Sequence, residues 1–382
     1  MKIKVLIFFL ISNIIYSQVS FENSPYEKTY TTEQNTIAQN WEDYVNSFRE
    51  NSDGNCIYWK TSDLNKTGCN LLQTQGFYNP SLFKLPFKNQ ILSILKNEDE
   101  CFELSSIFYM INEKSELNPF AIVKVYVEKI GDNYYFKDNL NRNTKNWESK
   151  KVGLINYYFP KTYNFRSKNA EEASKFLNNL NKTFDLDKTN SINYFIAEKC
   201  AEVFKISGFD FAPNINTEKC AFYDIKNDIV YTSKFYGEFH KHELIHLINK
   251  KYPQAHYLLN TGLSIYNGGE NVHKDYNFKT LLQKFNNYYI QNSNVTLDLF
   301  NLNNFEKDIQ IDYLIGAIID DAILEKGGLT LLKETLTNVK TDEDLYSFIK
   351  NNLLNKNESV SDWLKRRAKL MTLKDFKFKI DL

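Results

Sequence analysis

The chain has 382 residues, 42% hydrophobic and 25% charged, which places it among globular chains with room for one large or two modest domains. Lys and Arg together number 47, as do Asp and Glu, so the charge balance gives no reason to seek nucleic acid. The many aromatics, 25 Tyr and 29 Phe, read as a compositional bias with no chemistry attached.

Met1 to Lys4 is basic, Val5 to Ile11 is continuously apolar, and Ser17 offers a small residue before Gln18. That layout predicts a secretory signal peptide over residues 1–17. The apolar run is shorter than the roughly 20 residues a spanning helix needs. Elsewhere Tyr313 to Ile323 comes nearest to a span, and Asp320 and Asp321 exclude it. The mature chain is therefore expected to be exported, periplasmic or extracellular, with no membrane span and with 45 bases against 47 acids. Five Cys suit that setting loosely: Cys56 with Cys69 and Cys200 with Cys220 lie nearest in sequence, leaving Cys101 over. Connectivity does not follow from spacing alone, and with no C-x-x-C the activity is not expected to lie in cysteine chemistry.

The fold class reads as α+β in two parts. In the N-terminal part, residues 18–165, Thr31 to Phe48 is a helix with Ile37, Trp41, Tyr44 and Val45 on one face. Strands follow at Cys101–Ile111, Phe120–Lys129, Asn133–Lys137 and Lys151–Phe159, with a turn at Gly131-Asp132-Asn133. Helix first and hairpins after is loosely similar to the small cone-shaped binding domains of the NTF2-like type. Pro160 to Asn169 reads as the boundary. Beyond it, in 166–382, come a helix at Ala170–Phe184, a strand at Ile192–Ala197 and a helix at Glu198–Ile206. A strand pair at Ala221–Ser233 follows, and then mostly helices.

The chemistry is concentrated in His242-Glu243-Leu244-Ile245-His246, an H-E-x-x-H sequence. On a helix, residues i and i+4 share one face, so two imidazoles can reach one zinc ion with Zn–N near about 2.1 Å. Glu243, about 100° round the helix, can approach a metal-bound water as general base without ligating the metal. Leu244, Ile245, Leu247 and Ile248 make the helix a buried one, and a buried His pair needs partners that a metal supplies. The preceding strand could hold an extended peptide by its backbone. His240, two residues before His242, is expected to point away in a surface or packing role. Glu238 is read either as a residue orienting the His242 ring or as a solvated helix residue.

With those residues in place, the stretch from about 170 to 370 resembles the gluzincin-type metallopeptidases of the peptidase MA-like group. That group carries a second helix close to E-G-L-A-x-Y-x-G-G, and the match here is Thr261-Gly262-Leu263-Ser264-Ile265-Tyr266-Asn267-Gly268-Gly269. Tyr313-x-x-Gly316, opening a helix that ends at Gly327-Gly328, and the helix Asp342–Leu353 followed by Trp363 resemble the later helices of the group. The resemblance implies a zincin-like domain with a small sheet, the metal helix and a helical C-terminal part. It implies one Zn²⁺ on His242 and His246, and hydrolysis of a peptide or protein substrate. It also implies a third ligand at position 261, where a Glu is usual and Thr261 stands instead. A neutral hydroxyl is a poor zinc ligand. Replacements are conceivable at Glu270 first, or at His256, His273 and Asp275. Tyr266 and Tyr313 are candidate hydrogen-bond donors to a tetrahedral intermediate. Two functions follow: an exported zinc metallopeptidase, or a non-catalytic zincin scaffold acting as a binding protein.

Overall fold

The computed structural model describes residues 20–22, 24, 26–48, 55–60, 82–137, 139–186, 191–213, 215–225, 227–268, 278–299 and 311–373. The expected signal peptide, Cys69, Glu270, His273 and Asp275 lie outside them. The chain divides into two compact units, 1–145 with 204–217 and 146–203 with 218–382. Both mix helix and strand, as expected of an α+β chain.

In the first unit α1 (Thr32–Ser47) begins with a capping box. The Thr31 hydroxyl accepts from the Gln34 N–H, and the Gln34 side chain accepts from the Thr31 N–H. The expected stripe of Ile37, Trp41, Tyr44 and Val45 is buried. The strands are β1 (Ser20–Glu22), β2 (Lys88–Lys96), β3 (Phe102–Ile111), β4 (Leu117–Ile130) and β5 (Asn133–Lys137), side by side in that order. A short helix α2 (Asn139–Asn143) follows, and β9 (Phe209–Phe211) returns to pair with β4. Trp41 lies against the sheet with its indole N–H shared between Asn89 Oδ1 and Ser106 Oγ, each at 3.2 Å. Sequence reading missed β2, because a bulge between Ile91 and Ser93 breaks its alternation.

The second unit is built on β6 (Glu148–Val152), β7 (Ile155–Phe159), β8 (Ile192–Ala197), β10 (Ala221–Asp224) and β11 (Ile229–Ser233). The order is β10-β11-β8-β7-β6, with β7, β8 and β11 parallel and the outer pairs antiparallel. The boundary expected near residue 165 therefore falls at 145/146. The stretch expected as one strand, Lys151–Phe159, is a hairpin turning at Gly153 (φ +58°) whose second strand pairs with β8. Alternation shows that a segment is a strand but not which sheet it joins.

Helix α3 (Ser167–Phe184) crosses from β7 to β8 and buries Ala170, Ala173, Phe176, Leu177, Leu180 and Phe184 in the core that holds Ile192, Tyr194 and Ile196. After β8 comes α4 (Cys200–Ile206). Cys200 is bonded to Cys220 with Cα atoms 5.7 Å apart, Cys56 is also disulfide-bonded, and Cys101 is buried and free.

Beyond β11 the chain is helical: α5 (Lys241–Ile245), α6 (Leu247–Lys251), α7 (Tyr257–Gly268), α8 (Phe278–Gln291), α9 (Ile311–Asn338), α10 (Asp342–Asn352) and α11 (Val360–Leu373). Helices α7 and α9 touch backbone to backbone. A Cβ on Gly262 would lie 2.2 Å from the Gly316 carbonyl carbon, and one on Gly316 would lie 1.9 Å from the Leu258 oxygen. The helix expected to end at Gly327-Gly328 does break there, since Gly328 takes φ +63° and ψ −158°. Thr341 and Asp344 form a capping box at the start of α10, and Trp363 is buried. Among the described residues no helix is long and apolar enough to cross a membrane.

Candidate metal centre

The H-E-x-x-H stretch is helical but not one continuous helix. α5 ends at Ile245, and His246 (φ −60°, ψ −10°) joins it to α6. Right-handed backbone at His246 keeps the two imidazoles together, with ring centres 4.9 Å apart and planes at 84°. Leu244, Ile245 and Ile248 anchor this corner in the core, while both histidines are half-buried.

Burial sets the protonation states. The His246 imidazole is pushed down to about 4 by desolvation. His242 lies well below its usual range from desolvation and from the neighbouring His246 and His240, partly offset by a hydrogen bond to the Ser264 backbone on α7. Both rings are thus neutral at pH 7, the state that ligates metals. Glu243 is buried, and desolvation raises its carboxyl to about 8, with a backbone hydrogen bond from Tyr223 of the edge strand β10 pulling it back.

Asn249, which sequence reading did not single out, lies 3.0 Å from His246 Nδ1 through its amide end. As oriented, its Oδ1 is buried with no partner. The two ends of an amide have the same shape. With the oxygen turned toward His246, Nδ1–H donates to it and Nε2 is left with a free lone pair, the arrangement that orients metal-binding histidines.

Tyr313 lies beside this corner with its ring 5.9 Å from that of His242, and burial with nearby Asp312 and Glu243 raises its hydroxyl pKa. Tyr266 does not reach the corner. It is fully buried and its hydroxyl donates to Asp321 Oδ1 at 2.9 Å, while Arg367 Nη2 donates to Asp321 Oδ2. The other second-helix candidate, His256, is also engaged elsewhere. Its Nδ1 accepts from the Leu258 N–H at the start of α7, and its Nε2 lies 2.8 Å from Asp342 Oδ1.

Glu238 takes neither expected role. It is fully buried, and Tyr163 Oη, the Arg166 N–H, Arg166 Nε and Asn169 Nδ2 all donate to its carboxylate at 2.7–3.4 Å. Gly237 beside it takes φ +64°, where a Cβ would overlap the Arg166 guanidinium. The Tyr194 hydroxyl donates to the Gly237 carbonyl and accepts from the His240 N–H. These bonds fix the loop that leads into the H-E-x-x-H helix.

His240 corrects a second expectation. The helix begins only at Lys241, and His240 is its N-cap in extended conformation (φ −107°, ψ 93°). Helical spacing does not apply to it. Its ring turns inward, 6.0 Å from the His242 ring, with Nδ1 3.6 Å from Glu243 Oε1, and Tyr236 packs over it at 4.0 Å.

A zinc ion fits these residues in part. The buried His242 Nδ1 has no hydrogen-bond partner, and His242 and His246 present neutral nitrogen donors to one space. Yet no group of three His, Cys, Asp or Glu arranged to hold a metal occurs among the described residues. Thr261, half-buried on α7, brings only a hydroxyl and a carbonyl that accepts from Ser264 Oγ.

No family model and no curated protein matches the sequence. Among solved structures the chain is similar to native yeast LTA4 hydrolase, at a TM-score of 0.32 and 10% identity. The match covers 79% of this chain and 48% of that one, so this chain spans about half its length. At that score and identity nothing about the site follows from it.

Proposed function

We propose that this is an exported zinc metallopeptidase with a gluzincin-like second unit, hydrolysing peptide bonds in peptide or protein substrates. The observation that carries the reading is the pair of neutral imidazoles, His242 and His246, 4.9 Å apart with buried Glu243 between them in sequence. A zinc ion held by these two residues would supply a Lewis acid that polarises a carbonyl and lowers the pKa of water.

Glu243 then acts as general base, taking a proton from the attacking water and passing it to the leaving amine. In the metal-free protein burial raises this carboxyl to about 8, which leaves it mostly protonated at pH 7; a zinc cation beside it would lower that pKa and favour the carboxylate that the role requires. The Tyr313 hydroxyl donates to the oxyanion that develops on the carbonyl. The strand expected to hold the peptide, β11, is paired on both sides by β10 and β8, so edge strand β10, whose Tyr223 backbone reaches Glu243, would accept the substrate as an added strand instead. The first unit, a helix laid on a mostly antiparallel sheet, suits a binding module of the NTF2-like kind. The Cys200–Cys220 bond and the basic-then-apolar start of the chain favour export.

Glu243→Gln tests the mechanism. It should abolish hydrolysis of an unfolded protein substrate while zinc, measured by elemental analysis, stays near one per chain. Unchanged hydrolysis in the variant would sink the mechanism. A second reading, a zincin scaffold that binds without catalysis, is favoured by Thr261 at the expected ligand position. It predicts no zinc after incubation with the metal and a fold that survives chelation.

A further inference from the structure

His240 is 5% exposed, and neither of its ring nitrogens has a hydrogen-bond partner among the described residues. A neutral imidazole carries one N–H to donate and one lone pair to fill. Leaving a buried donor unmet is costly, and a charged acceptor beside it is the strongest remedy.

The acceptor at hand is Glu243. His240 is the N-cap of α5 and Glu243 the third helical residue, the two positions that are bonded to each other in a capping box. Here the His240 side chain makes no capping bond. It turns to the carboxyl instead, with Nδ1 3.6 Å from Oε1 and both side chains buried. That gap exceeds a hydrogen bond by less than about 1 Å, which small changes in side-chain torsion cover. The surroundings hold the ring to this place. The His240 N–H donates to the Tyr194 hydroxyl, and Tyr236 packs over the imidazole with ring centres 4.0 Å apart.

A glutamate that serves as general base needs such a neighbour. The terminal torsion of a carboxylate is broad, so burial alone does not decide which oxygen meets the water. A hydrogen bond to one oxygen decides it, and in a site closed to solvent that bond is strong.

We propose that His240 is a positioning residue for Glu243: its Nδ1–H donates to Oε1 of the carboxylate and fixes the carboxylate plane, which leaves Oε2 to the attacking water. This rests on the reading of Glu243 as general base and adds what holds it in place. In this role His240 neither ligates a metal nor carries a proton.

The test compares His240→Ala, His240→Leu and His240→Asn in the mature, zinc-loaded chain, with fluorescently labelled casein as substrate. Asn puts an amide N–H close to where Nδ1 stands but cannot carry a proton, while Leu fills the space without a donor. Loss of one hydrogen bond to a charged group should lower kcat by about 10–100-fold in the Ala and Leu variants. KM and zinc content should stay within about twofold of the parent, and Asn should bring kcat back to within about fivefold. Leu takes the place of Ala should the cavity left by Ala unfold the chain, which a thermal melt would show. If the parent cleaves casein, Glu243→Gln does not, and His240→Leu stays within about threefold of the parent, His240 does not position Glu243 and the general-base reading stands. Equal losses in the Leu and Asn variants, or loss of zinc in step with activity, also overturn the inference. If the parent neither binds zinc nor cleaves casein, the function proposed above falls and this inference with it.

Discussion

Asp320 is fully buried on α9, and neither carboxyl oxygen has a hydrogen-bond partner in the described structure. Burial, with Asp321 adjacent, raises its pKa well above the ordinary carboxylate range. The native state therefore holds a proton that the unfolded chain releases near about pH 4. Because the native form binds more protons above that pH, stability falls as pH rises, by about 1.4 kcal/mol per pH unit until the folded pKa is reached. Asp320→Asn removes this dependence. Its urea midpoint should match that of the parent below about pH 4 and exceed it increasingly toward pH 7. An equal gap at all pH values would mean that Asp320 is not the titrating group. Single residues were also where sequence reading was least secure. His242, Glu243 and His246 follow from their spacing, whereas the inward turn of His240 depends on where the helix starts. The buried Glu238 depends on Arg166 and Tyr163, more than 70 residues away in the chain.

The helix pair α7 and α9 is set by its glycines. Gly262 and Gly316, legible in the sequence only as parts of a family resemblance, permit a crossing that no side chain fits. Gly316→Ala should cost about 3 kcal/mol or more, because its Cβ would meet a backbone carbonyl that cannot rotate away. Chemical denaturation would measure it, and a loss below about 0.5 kcal/mol, the range of ordinary surface changes, would contradict the crossing. Since α7 also meets His242 through the Ser264 backbone, the same variant should weaken the proposed zinc binding even though it lies outside the H-E-x-x-H stretch. Periodicity found most elements, α1, α3, β8 and the β10–β11 hairpin among them, because each presents one apolar face. It failed at β2, where a bulge shifts the register, and at β6–β7, where Gly153 turns what looked like one strand.

Across the whole chain the Cys200–Cys220 bond closes a loop with a sequence separation of 20 and ties the segment after β8 to the start of β10. Replacing both cysteines by serine should lower unfolding stability by about 3 kcal/mol, the chain-entropy value for a loop of this length. Adding a reductant to the parent should lower stability by at least as much, since it also opens the bond at Cys56, and thermal melts with and without it would check this. If the reductant changes nothing, the bond does not form in solution.

Sequence alone determined the chemistry on offer, because an H-E-x-x-H spacing and a threonine at position 261 are local facts of the chain. It determined the class of most elements for the same reason: a helix or strand is specified by its own periodicity. Tertiary structure decided what those residues face. Sheet pairing moved the division between the units to 145/146, and long-range hydrogen bonds buried Glu238. Packing drew His240 toward Glu243 and engaged Tyr266 and His256 elsewhere. Burial and partnership depend on residues distant in sequence, so no local pattern encodes them.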